Sequence, residues 1–462
     1  MYRALSSSPF PANRCYGMFA MLLVLLATAC GGQDSSGSSN SLNGARFFVG
    51  NDGSHGYELW KTSGSTQGTV MLKDINEYGD SSPAGLTVFN NALYFQANDG
   101  AHGAELWKTD GSAQGTALVK DINESGHGSP SGFTVFNGAL YFQGNDSVYG
   151  NELWKTDGSA QGTLLVKDIN VLGSSSPNGF SVFNNALYFV ATDSAHGAEV
   201  WKTDGTAVGT ELVKDINASG DSSPHGFTVF KGALYFEAND GITGWELWKT
   251  DGTPEGTVMV NDLNAYGNSY PEGFTLFKGA LYFYADDGIH GTELWKTDGS
   301  TEGTVLVKDI NESGSGWPYG FIAFNDALYF QAYDDVHGWE LWKTDGSRGG
   351  TRLLKDIHEG GGNGWPYGFT VFNGALFFRA LDDTYGWELW KTDGTADGTV
   401  LVKDINAGGD STPSGFTIFN GVLYFYADDG IHGTELWKSD GTGGGTLLFK
   451  DACPDACPGI LD

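Results

Sequence analysis

Two carboxylates return in this chain at fixed distances from a tryptophan. An aspartate stands eight residues before it and a glutamate two before it, giving the pairs Asp99 and Glu105, Asp146 and Glu152, Asp193 and Glu199, Asp240 and Glu246, Asp287 and Glu293, Asp334 and Glu340, Asp382 and Glu388, and Asp429 and Glu435. Asp52 and Glu58 repeat the pattern in the first unit. Six residues apart across a glycine-containing turn, such a pair offers hard oxygen ligands to Ca2+, with loop carbonyls and water filling the remaining positions. The spacing matches neither the EF-hand loop nor the glycine-rich nonapeptide. A structural account also suffices: the aspartate makes an Asx-turn on its own backbone, and the glutamate pairs with a repeat lysine such as Lys61 or Lys73. Calcium is the only cofactor the residues suggest.

Histidine stands five residues before the tryptophan in six units, as His55, His102, His196, His290, His337 and His432, but Tyr149, Thr243 and Tyr385 replace it elsewhere. A position that accepts threonine is expected to pack the loop and hydrogen-bond its backbone. No nucleophile, acid or base stands apart from the repeat, so an enzyme is not expected.

The tryptophans set the frame for these residues. Trp60, Trp107, Trp154, Trp201, Trp248, Trp295, Trp342, Trp390 and Trp437 follow one another at 47 residues, once at 48, so one supersecondary unit is copied nine times. Each unit holds four short apolar runs bounded by Gly, Asn or Asp. Only two residues separate the first run from the second, as at Asn137 and Gly138, and Asn-Gly is the strongest short hairpin signal. The fold class is therefore all-β, a β-propeller of four-stranded antiparallel blades, with nine blades expected over residues 43–452 and eight blades or an open superhelix as alternatives. The first repeat lacks a recognisable first strand, so closure could bring the first and last repeats together in one three-stranded blade.

In an up-and-down blade the second-to-third loops and the blade-to-blade loops share one face of the disc. Five tryptophans outside the 47-residue register map to that face. Trp245, Trp339 and Trp387 precede the repeat glutamate, and Trp317 and Trp365 precede a proline, with Tyr319 and Tyr367 two residues on. They form an expected aromatic arc over repeats five to eight, suited to a glycan or an envelope protein. The expectation for function is a non-enzymatic binding or scaffold protein, with a calcium-rigidified structural protein as the first alternative and a propeller hydrolase as the second.

Residues 1–29 read as an export signal, with Arg3 and Arg14 ahead of an apolar run too short to span a bilayer. Small residues then lead to Cys30, which resembles the lipid-modified cysteine of a bacterial lipobox. The implied protein is exported and held to a membrane, at the outer membrane or cell surface, by a lipid on Cys30. Residues 30–42 read as a tether. Cys453 and Cys457, in the tail 453–462, suit a small local disulfide. The formal charge of −31 excludes nucleic acid as a partner.

The segments from Glu293 to Ser300 and from Glu388 to Thr395 resemble the bacterial ELWxxDGT repeat. The resemblance covers about nine tenths of the chain and implies an exported, propeller-like protein; it implies very little chemistry.

Overall fold

The structure is a computed structural model that describes residues 40–451. The signal, Cys30, most of the tether, and Cys453 and Cys457 lie outside the described residues. Nine four-stranded antiparallel sheets follow one another as the blades of a nine-bladed β-propeller, each drawn from a single repeat. In blade 3 the strands are Ser131–Phe136, Ala139–Asn145, Asn151–Thr156 and Leu164–Lys167. Asn137 and Gly138 turn the first hairpin with φ of 46° and 75°, the left-handed pair that a type I′ turn requires.

The first repeat corrects the sequence reading. Ser41–Leu42 forms a two-residue first strand that pairs with Arg46 and Ala45 across the Asn43–Gly44 turn. Blade 1 is complete, and among the described residues no strand is exchanged with blade 9.

Blades bury both faces, which is why Leu140, Tyr141 and Phe142 are buried in succession. Nine apolar clusters fill nine junctions. In the cluster between blades 2 and 3, Phe89, Tyr94, Leu106, Val119 and Ile122 of one blade receive Leu140, Phe142 and Trp154 of the next. The repeat tryptophan is thus the key each blade inserts into its predecessor. The ring closes in the same way, as Phe48 and Trp60 of blade 1 pack on Phe419, Tyr424, Tyr426, Leu436 and Phe449 of blade 9.

Polar latches reinforce the other junctions. Lys61, Lys108, Lys155, Lys202, Lys249, Lys296, Lys343 and Lys391 each donate from Nζ to a glycine carbonyl of the following blade at 2.7–2.9 Å. Lys438, at the ninth position, lies over the ring of Phe449 in its own blade, 5.3 Å from the centroid. Closure therefore rests on apolar packing without that latch.

The first strands of successive blades lie against one another and line the central channel. Gly132, at φ 70°, is the second residue of one such strand; a Cβ there would come 2.8 Å from Phe180 of the next blade. Glycine at this position lets neighbouring inner strands approach.

Opening of the ring is predicted to begin where the latch is missing. Hydrogen exchange should release the amides of blades 1 and 9 before those of blades 4 to 6, and uniform protection around the ring would contradict this.

Candidate functional site

The repeat glutamate proves to be a structural anchor. Glu152 is fully buried and accepts bonds from the Ile169 amide at 2.9 Å, the Ser175 amide at 2.9 Å and Ser175 Oγ at 2.6 Å, which fixes the loop leading to the next blade. The expected pairing with Lys61 or Lys73 is replaced by these amides, since Lys61 and Lys73 reach carbonyls of the next blade. Where glycine takes the serine's place, as at Gly128, Gly316 and Gly364, the hydroxyl bond is lost. Burial then pushes the carboxyls of Glu105, Glu293 and Glu340 up to about 7. Burial, with added repulsion from Asp262, does the same to Glu246.

The aspartates cap their own loops. Asp99 Oδ1 accepts from the amides of Ala101 and His102 at 2.9 and 2.8 Å, and Oδ2 lies 2.7 Å from His102 Nδ1. The histidine therefore binds a side chain, where a backbone contact was expected.

These contacts supply the structural account of Asp99, Asp146, Asp193, Asp240, Asp287, Asp334, Asp382 and Asp429, and of Glu105, Glu152, Glu199, Glu246, Glu293, Glu340, Glu388 and Glu435, the carboxylates expected as calcium ligands. Each aspartate spends Oδ1 on two loop amides. Each glutamate is fully buried.

The predicted aromatic arc divides. Trp339 and Trp365 stack at 4.8 Å with 16° between planes, beside Tyr333 at 5.9 Å from Trp339. Trp317 is half exposed, and its backbone, like that of Trp365, is left-handed at φ 46° and 45°. Tyr319 and Tyr367 stack at 6.4 Å and 3°. Trp387 joins them through Arg379, whose guanidinium lies 5.1 Å from the Tyr367 ring and 5.2 Å from that of Trp387. Trp245 stacks on Tyr270 and lies 5.5 Å from His225.

That histidine belongs to a constellation the sequence reading missed. Each inner strand of blades 2 to 9 opens on a residue that faces one partner twelve positions later, just before a bulge at a left-handed glycine. The cross-strand pairs are His225 with Glu237 in blade 5, Glu272 with Tyr284 in blade 6, Tyr319 with Gln331 in blade 7 and Tyr367 with Arg379 in blade 8. Bulges of this kind re-aim a side chain, here at one mouth of the channel. His225 Nε2 lies 2.8 Å from Glu237 Oε2 and 3.4 Å from Glu272 Oε1, and Tyr284 Oη donates to Glu272 Oε2. Tyr284 then leads to Tyr319 at 6.3 Å. Ionisable groups and aromatic rings thus run continuously across four adjacent blades.

The electrostatics single out the same spot. Burial opposes charge on His225, but hydrogen bonds to Glu237 and Glu272 outweigh it and push the imidazole up to about 10. The hydrogen bond from His225 holds Glu272 below its ordinary range, whereas burial raises Glu237. Burial with the bond to Glu272 raises Tyr284. The expectation that no acid or base stands apart from the repeat is therefore corrected. The signal was present as joint departures from the repeat at positions twelve apart: blades 2 and 3 carry Ala84 with Gln96 and Ser131 with Gln143 at the same places.

No known protein-family model matches the sequence, and no curated protein matches it. Among solved structures the chain is similar to a puromycin hydrolase, at 14% identity and a TM-score of 0.38 over 79% of this chain and 61% of that one. It is also similar to a prolyl endopeptidase, at 12% identity and a TM-score of 0.39 over 69% of this chain and 49% of the other. The chain thus spans from about half to three fifths of the length of these structures. The likeness is one of fold. The neighbours are by name a hydrolase and an endopeptidase, unlike the non-enzymatic binding or scaffold protein expected from the sequence, and at these TM-scores they say nothing of this chain's chemistry.

The buried glutamates predict an unusual pH dependence. Their folded pKa lies above the unfolded value near 4.5, so the stability they contribute is complete below pH 4.5 and is lost as pH rises through about 7. His55, His102, His196, His290 and His432, raised by their loop aspartates, act in the same direction. The melting temperature should be several degrees higher at pH 5 than at pH 8, and a rise over that interval would contradict the burial of these carboxyls.

Proposed function

We propose that this protein is a hydrolase acting at the mouth of the channel on an oligosaccharide-type substrate. One observation carries the reading: His225, Glu237, Glu272 and Tyr284, which break an otherwise uniform repeat, converge from two blades onto one point. In a ninefold repeat, structure alone asks for the same residues in every blade. Residues that change together in adjacent blades answer to something outside the repeat.

The chemistry follows from the arrangement. Glu272 is the accessible carboxylate, and a water held against it can be polarised for attack on the substrate. The water oxygen bonds to the electrophilic atom, the bond to the leaving group breaks, and the water's proton passes through Glu272 to the leaving group. Tyr284 orients Glu272 by occupying its second oxygen. Tyr319, Tyr367 and Trp387 offer flat faces with polar edges in a row leading away from the carboxylates, the surface that the apolar face of a sugar ring fits. Arg379, held between two of those rings, makes no ion pair among the described residues and is left to meet a polar or anionic substituent of the substrate. Burial lowers its pKa.

Membership of the ELWxxDGT group and export with a lipid at Cys30 are part of the same proposal, supported by the repeat motif and the N-terminal pattern. Such a hydrolase would act at the cell envelope.

Product release from a panel of neutral and acidic oligosaccharides tests the reading. Glu272→Gln is expected to lower kcat at least about 100-fold with an unchanged circular dichroism spectrum, and Trp387→Ala to raise KM with less effect on kcat. Turnover that survives Glu272→Gln would overturn it.

A further inference from the structure

The three ionisable side chains at the centre of the site are arranged less like an ion pair than like a coordination shell. Their ligand atoms, one imidazole nitrogen and one oxygen from each carboxylate, all lie within 4.8 Å of one another. No other group of three or more His, Cys, Asp or Glu side chains among the described residues converges in this way. Donors held about 2.0–2.2 Å from a common cation stand roughly 3.0–3.6 Å apart, so separations of 2.8 and 3.4 Å from Nε2 are close to those of a filled site.

Three further observations point to a cation. Glu237 has a side chain only 1% exposed, and apart from His225 Nε2 at 2.8 Å from Oε2 its two oxygens meet no donor. A buried carboxylate with a single partner is costly unless a positive charge meets it, and a cation would supply that charge in place of the imidazole proton. His225 Nδ1 lies 3.2 Å from the carbonyl oxygen of Ser223, the bond that leaves Nε2 as the ligating nitrogen once a cation displaces its proton. Tyr284 holds the outer oxygen of Glu272 and turns the inner one toward the imidazole. These two contacts are second-layer partners of the kind that orient metal ligands.

We propose that His225, Glu237 and Glu272 bind one divalent first-row cation of the zinc or manganese type. The imidazole disfavours Ca2+ and Mg2+, which take oxygen ligands, and the absence of thiolate disfavours softer ions. Three protein ligands with His225 and Glu272 facing the open channel leave a coordination position free, the pattern of catalytic rather than structural sites. When bound, such a cation lowers the pKa of a coordinated water. That role deepens the hydrolytic reading and rests on it, but binding itself does not.

Calorimetric titration of the full chain, after EDTA treatment and dialysis, with ZnCl2, MnCl2 and CaCl2 tests the proposal. One equivalent of Zn2+ or Mn2+ should bind at micromolar or tighter affinity, and Ca2+ should give no matching isotherm. His225→Ala and Glu237→Gln should each weaken binding at least about 100-fold, and Tyr284→Phe about 10-fold. Because Glu237→Gln alters a buried group, Tyr284→Phe and the visible spectrum of the Co2+-loaded protein provide readouts in folded material. Binding of neither cation, or binding unchanged in His225→Ala and Tyr284→Phe, overturns the proposal. One equivalent bound without hydrolysis of any substrate keeps the metal centre and removes the hydrolase, whereas hydrolysis that persists in protein binding no cation does the reverse.

Discussion

The interaction on which everything else depends is the insertion of each blade's tryptophan and phenylalanine into the apolar face of the blade before it. A four-stranded sheet with Leu140, Tyr141 and Phe142 buried in succession cannot stand in water alone, because both of its faces need cover. Nine repeats supply that cover to one another, and the clusters continue around the ring to blade 9 against blade 1. Removing a buried Trp or Phe side chain costs about 3–5 kcal/mol in cores of this kind, which explains why these positions barely vary. Stability is thus spread over junctions, and no single blade has to be special for the ring to form.

This distribution frees one layer for chemistry. The junction residues come from the middle of the strands, and the repeat glutamate ties down the loop between blades through amides such as those of Ile169 and Ser175. The first residue of each inner strand, ahead of the glycine bulge, belongs to neither system. Ala84, Ser131 and Asn178 occupy it in blades 2 to 4, and His225, Glu272, Tyr319 and Tyr367 in blades 5 to 8, on the same backbone. A rigid repeated scaffold therefore holds a centre with no symmetry, and neighbouring blades supply its parts at a spacing set by how closely their inner strands approach.

Much of this was legible in the residues and some was not, for physical reasons. The period, the hairpin turns and the blade follow from local features, tryptophan spacing and Asn-Gly pairs, and these survive without knowledge of the fold. The first strand of blade 1 escaped because Ser41–Leu42 is two residues long and lacks the phenylalanine that marks its counterparts. The repeat glutamate was misread because its partners are backbone amides 17 and 23 residues further on, which carry no side-chain signature. The aromatic residues Tyr319, Tyr367 and Trp387 were found as departures from the repeat. His225 and Glu237 were not, since only the bulged register makes them neighbours, and only ring packing brings Glu272 to the same point.

The central claim is that one mouth of the channel carries a single asymmetric centre on an otherwise uniform ring. Anomalous diffraction from crystals grown with Mn2+ addresses it directly. One peak per ring is predicted, between His225 Nε2 and the carboxylates of Glu237 and Glu272. Peaks at the loop aspartates repeated around the disc, with none at the mouth, would contradict the account.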